Sequence, residues 1–120
     1  MSVKSYRELV AWQKGIALVK TVYSLTKRWP REELYTLTSQ IRRAAISVPS
    51  NVAEGQGLRT AKSFLHHLAI AYGSLMEVET QLQLGYELGY LQSDQLDESL
   101  GQTRELGRII NGLRQSLDRK

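Results

Sequence analysis

One stretch, Leu34 to Gly57, carries two helical stripes at once, and a chain built around it has little choice but to pack helix against helix. At about 100° per residue, Leu34, Leu37, Ile41, Ala44, Ala45, Val48 and Val52 fall on one face. Gln40, Arg43, Ser47, Asn51 and Glu54 form a polar track beside it. Members of that track recur three and four apart, which makes them neighbours along the helix. Arg43, Ser47, Asn51 and Glu54 are therefore expected to form a partly buried hydrogen-bonded network at a helix or subunit interface. Pro49 interrupts the stretch: it has no amide hydrogen for the carbonyl of Ala45, and its ring crowds that oxygen. The apolar stripe nevertheless keeps its phase from Ala45 and Val48 to Val52, so a kink at Pro49 is expected. A break at Ser47 to Ser50 is the competing reading.

Three further helices follow from periodicity. The first is expected from Tyr6 to Lys27, with Leu9, Trp12, Ile16, Val19 and Tyr23 as its stripe and Leu18, Val22 and Leu25 widening it. Trp29-Pro30 ends it, and the second helix is expected to begin near Pro30 to Leu34 and to end at Gly55-Gln56-Gly57. The third should run from Thr60 to Leu88 on a seam of Phe64, Leu68, Ala71, Leu75, Val78 and Leu82. After the turn Gly89 to Gln92, Ser93 caps a fourth helix carrying Leu96, Leu100, Thr103, Leu106, Ile110, Leu113 and Leu117. No segment alternates with period two. The expectation is one all-α domain over residues 1–120, an antiparallel up-down-up-down four-helix bundle with its second helix kinked at Pro49.

Charge divides the chain. Residues 1–62 hold 11 Lys and Arg against 4 Asp and Glu, net +7, while residues 63–120 hold 5 against 8, net −3. This asymmetry suits a polyanion partner or electrostatic self-complementarity between subunits. Tyr35, Ile46 and Ala53 lie some 120° to 140° around the second helix from Ile41, and Tyr72 and Tyr86 broaden the third. These apolar residues are surplus to a closed bundle and point to subunit contacts. No run approaches a membrane span, and a cytoplasmic location without membrane contact is expected.

Catalytic patterns are missing. With no cysteine, thiolate chemistry and cysteine-bound metals are excluded. His66 and His67 are adjacent and diverge by about 100° on a helix, so they do not chelate one metal. No glutamate stands three before a histidine, as di-iron bundles require, and Glu77 and Glu79 do not supply the pattern. The glycine-rich stretch from Gly55 to Lys62 joins two helices rather than following a strand, which argues against a nucleotide-binding loop. Its glycines read as helix terminators. Neither a cofactor nor a metal is expected, and the chain reads as a non-enzyme.

Ser39-x-Ile41-Arg42-Arg43-Ala44-Ala45-x-Ser47, Asn51-x-Ala53-Glu54-Gly55-x-Gly57, Ala71-x-Gly73-Ser74-Leu75-x-Glu77 and Leu88-Gly89-Tyr90-Leu91 together resemble the bacterial four-helix-bundle proteins encoded in intervening sequences of 23S ribosomal RNA genes. The likeness runs from about Tyr6 to Leu117. Val48 and Val52 stand where isoleucine is more usual, and Leu58 where glycine is common. Accessory proteins of diversity-generating retroelements are similar to the same pattern. The resemblance implies a homopentameric ring without enzymatic activity and an RNA- or DNA-binding role, with a reverse transcriptase as a further partner by that relationship. From the residues themselves, Lys14, Lys20, Lys27, Arg28, Arg59 and Lys62 are the candidates for a phosphate-binding surface. A protein-binding scaffold is the alternative.

Overall fold

The computed structural model describes residues 4–118. They form four helices, α1 (Val10–Thr26), α2 (Leu37–Gly57), α3 (Ala61–Glu87) and α4 (Ser93–Asp118), with no strand among the described residues. The helices run antiparallel in a bundle 46 × 24 × 19 Å. Among the described residues, no helix is long and apolar enough to cross a membrane.

Two helix starts differ from the sequence reading. Ser5 accepts a hydrogen bond from the Arg7 amide and caps a short 3-10 turn, Tyr6–Glu8, after which extended Leu9 delays α1 to Val10. Pro30 leads into a second 3-10 turn, Arg31–Glu33, and α2 begins only at Leu37. The Glu33 carboxylate explains the delay. It accepts from the Thr36 hydroxyl at 2.6 Å and from the Leu37 amide at 3.4 Å, satisfying one of the free donors at the helix start.

The seam of α3 lies in the core as its spacing requires, with Phe64, Leu68, Ala71, Leu75, Val78 and Leu82 all buried. So do Ile41, Ala44, Ala45, Val48 and Val52 of α2. Helix α1 is rotated from expectation. Its buried stripe is Ala11, Gly15, Leu18, Val22 and Thr26, whereas Ile16 and Tyr23 are 38% and 40% exposed. Small residues drive this rotation. A β-carbon on Gly15 would sit 3.1 Å from Cβ of Pro49, so the glycine lets the proline ring lie directly on α1. Helix α2 continues unbroken through Pro49, with the Asn51 side-chain amide donating to the carbonyl of Ser47 at 2.9 Å.

The glycines at the α2–α3 junction do not terminate α2. Gly55 is buried inside the helix, where a β-carbon would stand 2.8 Å from Cβ of His67 and 3.3 Å from the backbone of Phe64. Gly57 is the last helical residue, and the left-handed position past the end belongs to Arg59, with φ 66°. Helix α3 ends as a glycine-terminated helix should. Gly89 has φ 85°, the Tyr90 amide donates to Gly85 at 2.7 Å and the Gly89 amide to Tyr86 at 3.0 Å.

That turn is tied to the α1–α2 connection. The Trp29 ring lies on the bare face of Gly85, where a β-carbon would approach to 2.6 Å, and packs on the Tyr90 ring at 5.7 Å. The Tyr90 hydroxyl donates to Glu33 at 2.8 Å. Thr36 and Tyr90, donating to Glu33, hold its carboxyl below the usual carboxylate range, while the Glu33 carboxylate pushes the Tyr90 phenol up.

Two measurements test this packing. Gly55→Ala should lower unfolding free energy in urea by about 1–3 kcal/mol, because Cβ of His67 on α3 blocks the added methyl. Gly112→Ala, in open space on α4, should raise it by about 0.5–1 kcal/mol. The second measurement is of pH. The lowered Glu33 pKa contributes stability that is present above the ordinary carboxylate value and lost as pH falls through the folded one. The raised Tyr90 pKa contributes stability present below the ordinary phenol value and lost as pH rises through the folded one. Tyr90→Phe should therefore lower Tm most near neutral pH, and the difference from the parent should shrink in both acid and strong alkali.

Candidate nucleic-acid interface

The six candidate cations do not meet in one place. Lys27 and Arg28 close α1 at one end of the bundle, while Arg59 and Lys62 sit at the α2–α3 junction at the other, separated by the length of α3, about 40 Å. Lys20 lies on the outer side of α1, and Lys14 is paired with Glu105 of α4 at 3.4 Å. All six are exposed.

The fold redistributes charge in a way that a division of the sequence into halves does not. Gly15 opposite Pro49, Ser47 opposite Ser74 and Gly107 opposite Leu75 and Tyr72 mark one cross-section of the bundle. On the side holding the α2–α3 junction (residues 4–17, 49–73 and 107–118) stand seven Lys and Arg against three Asp and Glu. On the other side (residues 18–48 and 74–106) stand seven against nine. Arg114 of α4 thus joins Arg7, Arg59 and Lys62 at a basic end, although it comes from the acidic half of the sequence, while Arg108 lies beside the cross-section itself. Arg114 is positioned there by Asn111, which accepts from it at 3.1 Å, and by the Tyr72 ring at 5.7 Å.

Opposite the basic end, the charges separate sideways. Residues 18–48 carry six Lys and Arg against two Glu, and residues 74–106 carry one Arg against seven Asp and Glu. Tyr35 and Ile46 of the surplus apolar residues lie on the basic wall and Ala53 just beyond it, whereas Tyr72 and Tyr86 lie on α3. One groove of about 500 Å³ is lined by Tyr23, Leu34, Tyr35, Arg42, Arg43 and Ile46. A second, of about 300 Å³, shares Ile46 and continues along Trp12, Ile16, Val19, Pro49 and Ala53. Tyr35 is 89% exposed at its rim.

Between α2 and α3 lies a polar cluster. The Asn51 side-chain amide donates to the Ser47 hydroxyl at 3.0 Å, and the Ser74 hydroxyl donates to the same oxygen at 2.9 Å. His67 Nδ1 meets Asn51 Oδ1 at 2.9 Å; since that oxygen only accepts, Nδ1 carries the proton. His67 Nε2 then faces Glu54 at 3.9 Å, with the carboxylate 62% exposed at the edge. Arg43 is exposed and stands apart from the cluster. His67 and Ser74 were missed from the sequence. Their spacing of seven, two helical turns on one face of α3, is the signal that pairs them with the track of α2. Among the described residues, no group of three or more His, Asp or Glu is placed to hold a metal.

A family profile described as 23S rRNA-intervening sequence protein matches residues 7–112. Among solved structures, a protein of unknown function from the S23 ribosomal protein family of Bacteroides thetaiotaomicron superposes with a TM-score of 0.81 at 20% identity. It covers 88% of this chain and 96% of its own. At that identity the likeness establishes the fold alone. A comparison with curated proteins gives no match.

The cluster yields a contrast measurable by denaturation. Asn51→Ala removes the partner of His67 and of both Ser47 oxygens, and should cost about 1–3 kcal/mol. Glu54→Ala, at the solvent edge, should change stability by less than about 0.5 kcal/mol.

Proposed function

The chain belongs to the 23S rRNA-intervening sequence protein family, and from that premise we propose that it is a homo-oligomer without enzymatic activity that holds RNA or DNA by the phosphate backbone. The observation that carries this reading is the basic end of the bundle, where cations from three separate stretches of sequence gather. Phosphate contacts are sequence-independent and additive, so one such surface repeated in each subunit gains by avidity.

The apolar groove of α1 and α2 supports self-association, because an exposed apolar surface of this extent is a contact surface. Pairing two copies through the same groove would set Lys20, Lys27 and Arg43 against their own counterparts. Seating it on the acidic α3–α4 side of the next copy brings opposite charges together. Such a head-to-tail contact closes a ring, a pentamer in this reading, with the basic ends free for nucleic acid.

Binding to unrelated RNA and DNA at a series of salt concentrations tests the proposal. Affinity should fall steeply with salt. Replacing Arg59 and Lys62 together by glutamine should weaken binding to every sequence about equally and flatten the salt slope. The same change at Lys27 and Arg28, outside the basic end, should do less. No binding by the intact oligomer at low salt would overturn the reading in favour of a protein-binding scaffold.

A further inference from the structure

At the corner where α1 passes into α2 there is a small pocket of about 260 Å³, too small for a drug-sized ligand but ample for an ion or a small head group. Thr26, Lys27, Trp29, Arg31, Thr38 and Arg42 line it, with no Asp or Glu among the lining residues. Two of these residues carry buried polar atoms without a protein partner: the indole Nε1 of Trp29 and the hydroxyl of Thr38. Trp29 is 6% exposed and Thr38 3%. Buried polar atoms are satisfied in the great majority of cases, so two orphans on one pocket call for an explanation.

The third wall is an arginine already held in place. Arg42 Nε donates to the Thr26 hydroxyl at 2.9 Å, and that hydroxyl donates in turn to the Val22 carbonyl at 2.8 Å. The guanidinium carbon lies 4.5 Å from the centre of the Tyr23 ring, which supports its face. With Nε engaged on Thr26, the terminal nitrogens remain as donors, and no carboxylate lies within ion-pair distance of Arg42 among the described residues. An indole N–H donates only, a guanidinium donates only, and a hydroxyl is able to donate. Lys27 and Arg31 add positive charge at the mouth. The polar side chains that line the pocket are thus cations, an indole N–H and hydroxyls, with no negative charge among them, and the complement of such a set is an oxyanion with several acceptor oxygens.

We propose that this pocket binds a phosphate group, free or at the end of a nucleotide, through Arg42, Trp29 Nε1 and the Thr38 hydroxyl. The site lies at the far end of the bundle from the α2–α3 junction, and it stands independently of the backbone-binding surface there.

The chain carries two tryptophans, which supply a readout and its control. In ¹⁵N-labelled full-length protein, the indole N–H resonances of Trp12 and Trp29 are assigned with a Trp12→Phe variant. The protein is then titrated with inorganic phosphate, with a nucleoside 5′-monophosphate and with a short RNA lacking a terminal phosphate, all at constant ionic strength against chloride. The Trp29 resonance should shift saturably with the first two, and the Trp12 resonance should not. A shift with phosphate alone identifies a free-ion site, and a tighter one with the monophosphate identifies a terminal-phosphate site; both support the proposal. Arg42→Gln should weaken binding about tenfold or more. Since Arg42 also braces α1, Thr38→Val is the second variant: it removes an unsatisfied hydroxyl, should leave the fold at least as stable, and should still weaken phosphate binding several-fold. No saturable shift of Trp29, an equal shift of both tryptophans, a response only to the unphosphorylated RNA, or binding unchanged in Thr38→Val and Arg42→Gln would overturn it.

Discussion

The bundle depends on how closely α2 approaches its two neighbours. On one side the Pro49 ring rests on the bare backbone of Gly15; on the other Gly55 lies against Phe64 and His67. A β-carbon at Gly55 would come within 2.8 Å of His67 Cβ, so that a helix must shift, and one at Gly15 would come within 3.1 Å of Pro49, so that the ring must give by a few tenths of an ångström. The remaining features follow from this placement. With α2 close to α3, Ser47 and Asn51 reach Ser74 and His67 and satisfy one another. With α2 close to α1, the bulky residues of α1 are turned outward and create the apolar groove.

Much of this architecture is legible in the sequence, and its misreadings share a cause. Periodicity finds large apolar residues, and α3 is correct throughout because its core contacts are made by Phe, Leu and Val. Helix α1 is misphased because its buried stripe includes Ala11 and Gly15, which carry little hydrophobic signal, and Gly15 makes the contact with Pro49 of α2. The helix starts are displaced because Ser5 and Glu33 satisfy backbone donors outside the helices, a choice that depends on partners such as Tyr90, 57 residues away. The end of α2 falls at Gly57, within the stretch its glycines mark, but the left-handed position beyond it is taken by Arg59 and not by a glycine. The partner of His67, Asn51, becomes visible only when two helices are set side by side.

Charge shows the same limit. Division at residue 62 assigns basicity to the first half of the chain, but antiparallel packing interleaves the halves. Arg114 returns to the end that holds Arg59 and Lys62, while Lys27 and Arg28 are carried to the opposite end. The result is a molecule with one basic end and, at the other end, one basic and one acidic wall; the proposed ring would set those walls against each other and cover the apolar groove.

Self-association with nucleic acid at the basic ends is the central claim, and the mass of the particle tests it most directly. Sedimentation equilibrium of the unmodified chain at micromolar concentration should give about 68 kDa, five times the 13.6 kDa subunit. Added RNA should raise that mass at low salt, and high salt should return it to the protein-only value with the ring intact. A 13.6 kDa monomer, or a ring whose mass RNA does not change at any salt concentration, would contradict the account.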